Sequence, residues 1–276
     1  MSFTARFSPD HIIERPQFDV PATTANKYDR GHAVVISGPA LATGASRLTA
    51  QAALAVGAGL VSIIGDEVAL TEHAAHVTAI MLKRGDESFS AIDHRVLSIA
   101  AGPAMGVGAD TIDAISVLLA REIPIVLDAD ALTSFTGSPD RLFDMLHTDA
   151  VLTPHDGEFA RLFPEINLSD RVLAARISAK QSGAIVLLKG ADTVIAAPDG
   201  RYAINRHSSP WLATAGSGDV LTGLICGVMA QGVNGFDAAC TAAWLHGDIG
   251  MRHGPGLTAD AMLAQLPLVL AGCLAS

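Results

Sequence analysis

The residues best suited to chemistry lie in one stretch, ATAGSGDVLTGLICGVMAQG, from Ala213 to Gly232. Gly216 and Gly218 bracket Ser217, and Asp219 is followed at once by a helical run. Glycines carry no Cβ, so main-chain N–H groups beside them can approach an anion closely. At the first turn of a helix those groups are unpaired, and the macrodipole favours negative charge there. Gly216, Ser217 and Gly218 are therefore candidates for a main-chain anion nest. Asp219, in the same turn, is placed beside whatever group faces that anion. Phosphoryl transfer needs this arrangement: a carboxylate takes a hydroxyl proton while amides stabilise charge on the migrating group. The same letters also describe a glycine-rich turn with Asp219 capping a helix.

Other loops carry weaker signals. In VLTPHDGEFARLF, His155 and Glu158 follow a strand directly. Glu158 could help to organise magnesium, through water, because that ion keeps most of its hydration shell. His155 could hydrogen-bond a substrate, or the pair could belong to a capped helix with a solvent-facing acid. LDAD, Leu127 to Asp130, is expected to end a strand with its two carboxylates on opposite sides, so that at most one faces a cleft. Lys189, Gly190, Ala191, Asp192 and Thr193 form a short turn between two strand-like runs. Its lysine and amides either touch a nucleotide or close a plain hairpin. Gly38–Ser46 and Gly102–Gly108 are glycine-containing loops with neither the dinucleotide spacing nor the P-loop ending. Each also reads as a tight strand-to-helix turn. His73 and His76 are three apart, with no third ligand at metal-binding spacing.

The elements that must position these loops alternate along the chain. AVVIS (Ala33–Ser37), LVSII (Leu60–Ile64), VLSIAA (Val96–Ala101), the run from Ile123, AVLTP, AIVLLKG and TVIAAP are short and rich in β-branched residues. Helix-length segments such as Ser46–Val56 and Thr111–Ala120 separate several of them, and apolar helices dominate from Ser217 onward. Strands separated by helices pair in parallel, and apolar strands with little alternation fit a sheet covered on both faces. Ligands then bind beyond the carboxyl ends of the strands, where the loops above fall. One domain over residues 1–276 is expected, with residues 1–25 an irregular N-terminal arm.

With 18 Lys+Arg against 28 Asp+Glu, the chain carries a formal charge of −10. That argues against nucleic acid or an anionic membrane as partner. It leaves an anionic small ligand open, because a few oriented amides suffice. Half of the residues are hydrophobic, enough for a substantial core, yet no uncharged stretch reads as a membrane span or a signal core. The three cysteines are widely spaced and odd in number, which fits buried thiols in a reducing cytoplasm.

Taken in order, NKYDRG (Asn26–Gly31), TGASRLTAQAALAVGAGLVSI, GPAMG, VLDADAL, LTPHDGEF, VLLKGADTVIAAPDG, the Gly216–Asp219 stretch and WLHGDIG resemble the ADP-dependent NAD(P)H-hydrate dehydratases of the ribokinase-like superfamily. The resemblance implies a three-layer α/β/α sandwich with a mostly parallel sheet. The implied reaction removes water from hydrated NADH or NADPH at the expense of ADP, or of ATP in some members, with magnesium, and repairs the nicotinamide nucleotide. It implies Ala45, Gly106, His155 and Asp219 against the hydrated dinucleotide, and Lys189 to Thr193 with Gly218 against the nucleotide. It also implies Asp219 as base, Gly216 to Gly218 as the phosphoryl cradle, and a homotetramer. An epimerase, which many relatives carry as an N-terminal domain, would be a separate protein, since about 25 residues precede NKYDRG. Ala104 and Ala215 stand where the family usually has glycine, and Thr133 where Asn often follows LDADAL. The alternative is a superfamily kinase acting on a hydroxylated vitamin precursor or sugar, or a nucleotide-binding regulator.

Overall fold

The computed structural model describes residues 3–274. Its centre is a nine-stranded sheet. The strands are β3 (His32–Ile36), β4 (Leu60–Gly65), β5 (Met81–Arg84), β6 (Val96–Ala101), β7 (Ile125–Leu127), β8 (Ala150–Leu152), β9 (Ile185–Leu188), β10 (Thr193–Ala196) and β11 (Tyr202–Asn205). Their spatial order is β11-β10-β9-β8-β7-β6-β3-β4-β5. All neighbours from β9 to β5 pair in parallel, and the β9-β10-β11 end is antiparallel. Successive strand residues face opposite sides. Val35, Ala100 and Val126 therefore enter one core and Val34, Ala101 and Leu127 the other.

The first core is closed by α1 (Gly44–Ala55), α8 (Ser217–Met229), α9 (Gly235–His253) and α10 (Ala259–Ala271). The second is closed by α3 (Ala109–Leu119), α4 (Asp130–Thr133), α5 (Pro139–Phe143), α6 (Asp156–Leu162) and α7 (Arg171–Ser182). A shorter α2 (Glu67–Ala74), capped by Asp66, connects β4 to β5. Three layers with a mostly parallel sheet are the architecture expected from the alternating pattern. The three cysteines are buried and free. No helix among the described residues is long and apolar enough to cross a membrane.

Three parts differ from the sequence reading. Within the stretch expected to form an irregular arm, residues 3–18 instead form an antiparallel hairpin, β1 (Phe3–Phe7) and β2 (Ile13–Phe18), while residues 19–25 stay outside strands and helices. It is held down by Phe3, Ile13 and Phe18, which are buried, with the two phenylalanine rings 5.1 Å apart. Charged and proline residues interrupt its apolar pattern and hide it in sequence. Residues 1–2 of that arm and 275–276 at the other end lie outside the described ones. The edge strands β5 and β11 also went unread. Edge strands are half-solvated and tolerate the charged and polar letters of MLKR and YAIN.

Helix α8 is set in place by backbone contact. A Cβ on Gly223 would sit 2.2 Å from the Thr49 carbonyl oxygen, and one on Gly227 would sit 2.5 Å from that of Ala53. The two glycines let α1 and α8 touch main chain to main chain. Thr49 Oγ1 then lies 3.0 Å from the Ala45 oxygen and 3.1 Å from the Asp219 oxygen, tying the starts of both helices. On the sheet side, Ser98 Oγ donates to the Cys226 oxygen at 2.8 Å. Gly223→Ala should therefore lower unfolding stability in urea by about 1–3 kcal/mol. Gly137→Ala, where a Cβ meets nothing within 4 Å, should stay within about 0.5 kcal/mol.

Candidate active site

Five adjacent parallel strands deliver the predicted loops to one edge. In spatial order β9 is followed by Lys189, β8 by His155, β7 by Asp128, β6 by Gly106 and β3 by Ala45. At about 4.8 Å per strand, the row spans roughly 19 Å. The first turn of α8 presents Gly218 and Asp219 to the Asp128–Lys189 part of this row.

Gly216 is the N-cap of α8 with φ +83°, and a Cβ there would meet Leu48 and Ala259 side-chain carbons at 2.7 and 2.8 Å. No side chain caps this helix. The Ser217 N–H donates to the Thr214 oxygen at 3.3 Å, and that of Val220 to the Gly216 oxygen at 3.1 Å. The N–H groups of Gly218 and Asp219 find no acceptor among the described residues. The available main-chain donors of the nest are therefore Gly218 and Asp219, whereas the Ser217 amide is already spent. Anions are favoured at such an end.

The Asp219 carboxylate is half-buried and accepts no hydrogen bond among the described residues. Burial first, then the neighbouring Asp128 charge, pushes its pKa up to about 6, with Lys189 pulling the other way. Asp128 is 2% exposed. Its Oδ1 accepts from Lys189 Nζ at 2.8 Å and from the Ala129 N–H at 2.9 Å, and its Oδ2 from Thr222 Oγ1 at 2.9 Å. Lys189 Nζ also lies 3.7 Å from Glu158 Oε2. Burial disfavours the ammonium, but Asp128 and Glu158 outweigh it and hold the Lys189 pKa above its ordinary value.

His155 caps α6. Its Nδ1 accepts the N–H of Gly157 at 2.9 Å and of Glu158 at 3.3 Å, and Glu158 Oε2 accepts the His155 N–H at 2.9 Å. The capped-helix reading is thus realised, but the acid is 7% exposed rather than solvent-facing. The two LDAD carboxylates go to different partners, not by strand alternation, which would put them on one face, but because β7 ends at Leu127 and Ala129 turns the chain with φ +49°. Asp128 turns toward Lys189, while Asp130 Oδ2 accepts the Gly106 N–H at 2.9 Å. Ala104 adopts φ +57° despite its methyl group, so the backbone shape that favours glycine is kept at this position.

A cavity of about 720 Å³ lies against this edge. Lys189, Gly190, Ala191 and Thr193 line it together with His155, Ser217 and Gly218, which brings most of the predicted residues to one space. Asp192 does not line it, its Oδ2 being 3.3 Å from Arg206 Nε. Gly216, Asp219 and Glu158 do not line it either, and Ala45 and Gly106 are off it too, on the β3–β6 side of the row. Ala213 and Thr214, the first letters of the motif stretch, line it too. Other walls were not read from sequence: Arg206, most of segment 208–212, and His246. That segment carries no motif letters, and Asp128 and Thr222 gain their place only through contact between elements distant in the chain. The His73 ring is buried with Nε2 2.8 Å from Ser37 Oγ. No group of three or more metal-ligating side chains occurs among the described residues.

A mostly parallel sheet with an anion nest and a free carboxylate at its carboxyl edge defines an α/β protein of the ribokinase-like class. Solved structures agree. A ribokinase-like superfamily protein from Enterococcus faecalis superposes with TM-score 0.81 at 22% identity, covering 93% of this chain and 92% of that one. The Bacillus subtilis ADP/ATP-dependent NAD(P)H-hydrate dehydratase, co-crystallised with ATP and Mg2+, superposes with TM-score 0.80 at 25% identity, covering 93% and 95%. The chain belongs to the NAD(P)H-hydrate dehydratase family, whose profile matches residues 33–267. The bifunctional NAD(P)H-hydrate repair enzyme of Salinibacter ruber is 38% identical over 273 residues, covering 90% of this chain and 49% of the relative. That of Moorella thermoacetica is 38% identical over 277 residues, covering 93% and 52%. The chain thus spans about half the length of these relatives.

Lys189→Met should strand the buried Asp128 charge and destabilise the fold in urea by about 2–4 kcal/mol. The double variant with Asp128→Asn should recover most of that loss. In the single variant the Asp219 titration, followed by carboxyl NMR, should move to higher pH because its one attractive neighbour is gone.

Proposed function

We propose that this chain dehydrates hydrated NADH or NADPH at the expense of ADP, or of ATP, releasing the reduced dinucleotide, AMP and phosphate when ADP is used. The observation that carries the reading is the Asp219 carboxylate: unencumbered, raised to about 6, and beside two unpaired amides and the Lys189 ammonium. Hydroxide is a poor leaving group and a phosphate ester a good one. Asp219 takes the proton of the ring hydroxyl, and the freed oxygen attacks the terminal phosphorus of ADP. The bond from that phosphorus to the AMP oxygen breaks. The Gly218 and Asp219 amides stabilise the migrating group, with Gly216 shaping the turn and Ser217 lining it. The ring nitrogen then supplies the electron pair that expels phosphate, and loss of a ring proton leaves the reduced nicotinamide.

Placement follows the row along the sheet edge. The Lys189–Thr193 turn and Gly218 take the nucleotide. His155, Gly106 and Ala45 take the hydrated dinucleotide, with Asp219 between the two groups. Glu158 suits magnesium held mostly by water and phosphate. Its Oε2 is committed to the α6 cap and faces Lys189, and its Oε1 lies 3.6 Å from His155 Nε2, so Glu158 would hold the ion through water, there being no all-protein cage among the described residues. When bound, that ion would neutralise phosphate charge. A cytoplasmic homotetramer completes the reading.

Incubation with hydrated NADH, ADP and magnesium should restore reduced-nicotinamide absorbance. No return, together with ATP-dependent phosphorylation of a thiazole or pyrimidine alcohol, would assign a kinase instead. Asp219→Asn should lower kcat by about 10²–10⁴-fold with ADP affinity nearly unchanged. In the wild type, kcat/KM should rise with pH and level off above about 6, since the base acts ionised. The sign for stability is opposite. A carboxyl raised in the fold loses stability as pH climbs from its unfolded value through about 6. Asp219→Asn should therefore melt higher than wild type at pH 8 and equally at pH 3.

A further inference from the structure

His246 stands on α9 and reaches the first residue of α8. Its Nε2 lies 3.0 Å from the Ser217 main-chain oxygen and 2.9 Å from Ser217 Oγ. A carbonyl oxygen has lone pairs and no proton, so Nε2 must carry the hydrogen. Burial drives the ring pKa down to about 4, against the Ser217 carbonyl and with help from Lys189, so the ring is neutral with that single N–H. Ser217 Oγ consequently shares the N–H as an acceptor. Its own proton has no acceptor among the described residues. Both residues line the cavity that Gly218 faces.

We infer that the Ser217 hydroxyl is a third donor of the α8 anion nest and that His246 is the positioning residue that turns its O–H into the cavity. Two amides and one hydroxyl then meet a phosphoryl group that offers three charged oxygens. The histidine acts through the tautomer that the carbonyl imposes on it. A purely structural His246 would pin α8 to α9 and leave the hydroxyl idle. The inference rests on the nest binding phosphate, as in the proposed function, and not on which alcohol accepts the phosphoryl group.

Calorimetric titration of the 276-residue chain with ADP and with adenosine tests it, using Ser217→Ala, His246→Ala, His246→Gln and the double alanine variant. Ser217→Ala should weaken ADP about 10- to 100-fold, the range of a hydrogen bond to a charged group, and leave adenosine unchanged. His246→Ala should lose a similar factor, and His246→Gln, which again presents an N–H, should recover most of it. The double variant should match Ser217→Ala within about twofold, because both residues act through one donor. Wild-type ADP affinity in Ser217→Ala, or losses that multiply in the double variant, would overturn the inference. If His246→Ala does not fold, Ser217→Ala decides alone. Binding is read without any hydrate, so this pattern in a protein inactive on hydrated NADH would refute the dehydration and leave the donor assignment standing.

Discussion

A buried carboxylate at the end of β7 joins three elements that chain connectivity leaves apart. Asp128 receives Lys189 from the β9 turn and Thr222 from α8, while its own strand fixes its height above the sheet. Removing one charge from such a pair leaves the other stranded in a low-dielectric interior, so the contact constrains geometry strongly whatever its net contribution to stability. This one side chain links the Lys189 ammonium to α8, whose place against α1 is set by the Gly223 and Gly227 contacts.

The same contact shapes the electrostatics. Asp128, Glu158 and Asp219 surround a single Lys189, which leaves an excess of negative charge at the sheet edge. Asp128 and Glu158 keep the lysine charged. Asp219 has no hydrogen-bonding partner among the described residues and is pushed toward the pH range where a carboxylate works as a base. Asp128 thus tunes Asp219 directly, while Glu158 acts on Lys189. Close passage of α1 and α8 at Gly223 and Gly227 permits this, because it lets the first turn of α8 settle over the sheet edge.

Legibility in the sequence followed chemistry that is local. Gly216 to Asp219 announced a helix start with free amides, and the structure narrows the main-chain donors to Gly218 and Asp219 because Thr214 captures the Ser217 N–H. The 189–193 turn was open between nucleotide contact and plain hairpin, and it is a hairpin whose residues line the cavity. The capping box at His155 and Glu158 was also legible, since it spans only four residues. Arg206, His246 and most of segment 208–212 carry no sign in sequence of being cavity wall, because no spacing rule marks a residue whose partner lies far away in the chain.

Taken alone, the order of apolar runs and glycine loops determined a mostly parallel sheet covered on both faces, and set the chemistry at its carboxyl edge. These are consequences of periodicity and of backbone geometry at helix starts, which act over a few residues. Only the tertiary structure decided that residues 3–18 close the first core as a hairpin. It alone decided which LDAD acid faces Lys189, and that Ala45 and Gly106 stand off the main cavity. Those outcomes depend on burial and on the strand order β9-β8-β7-β6-β3, quantities that exist only once distant segments are packed against one another.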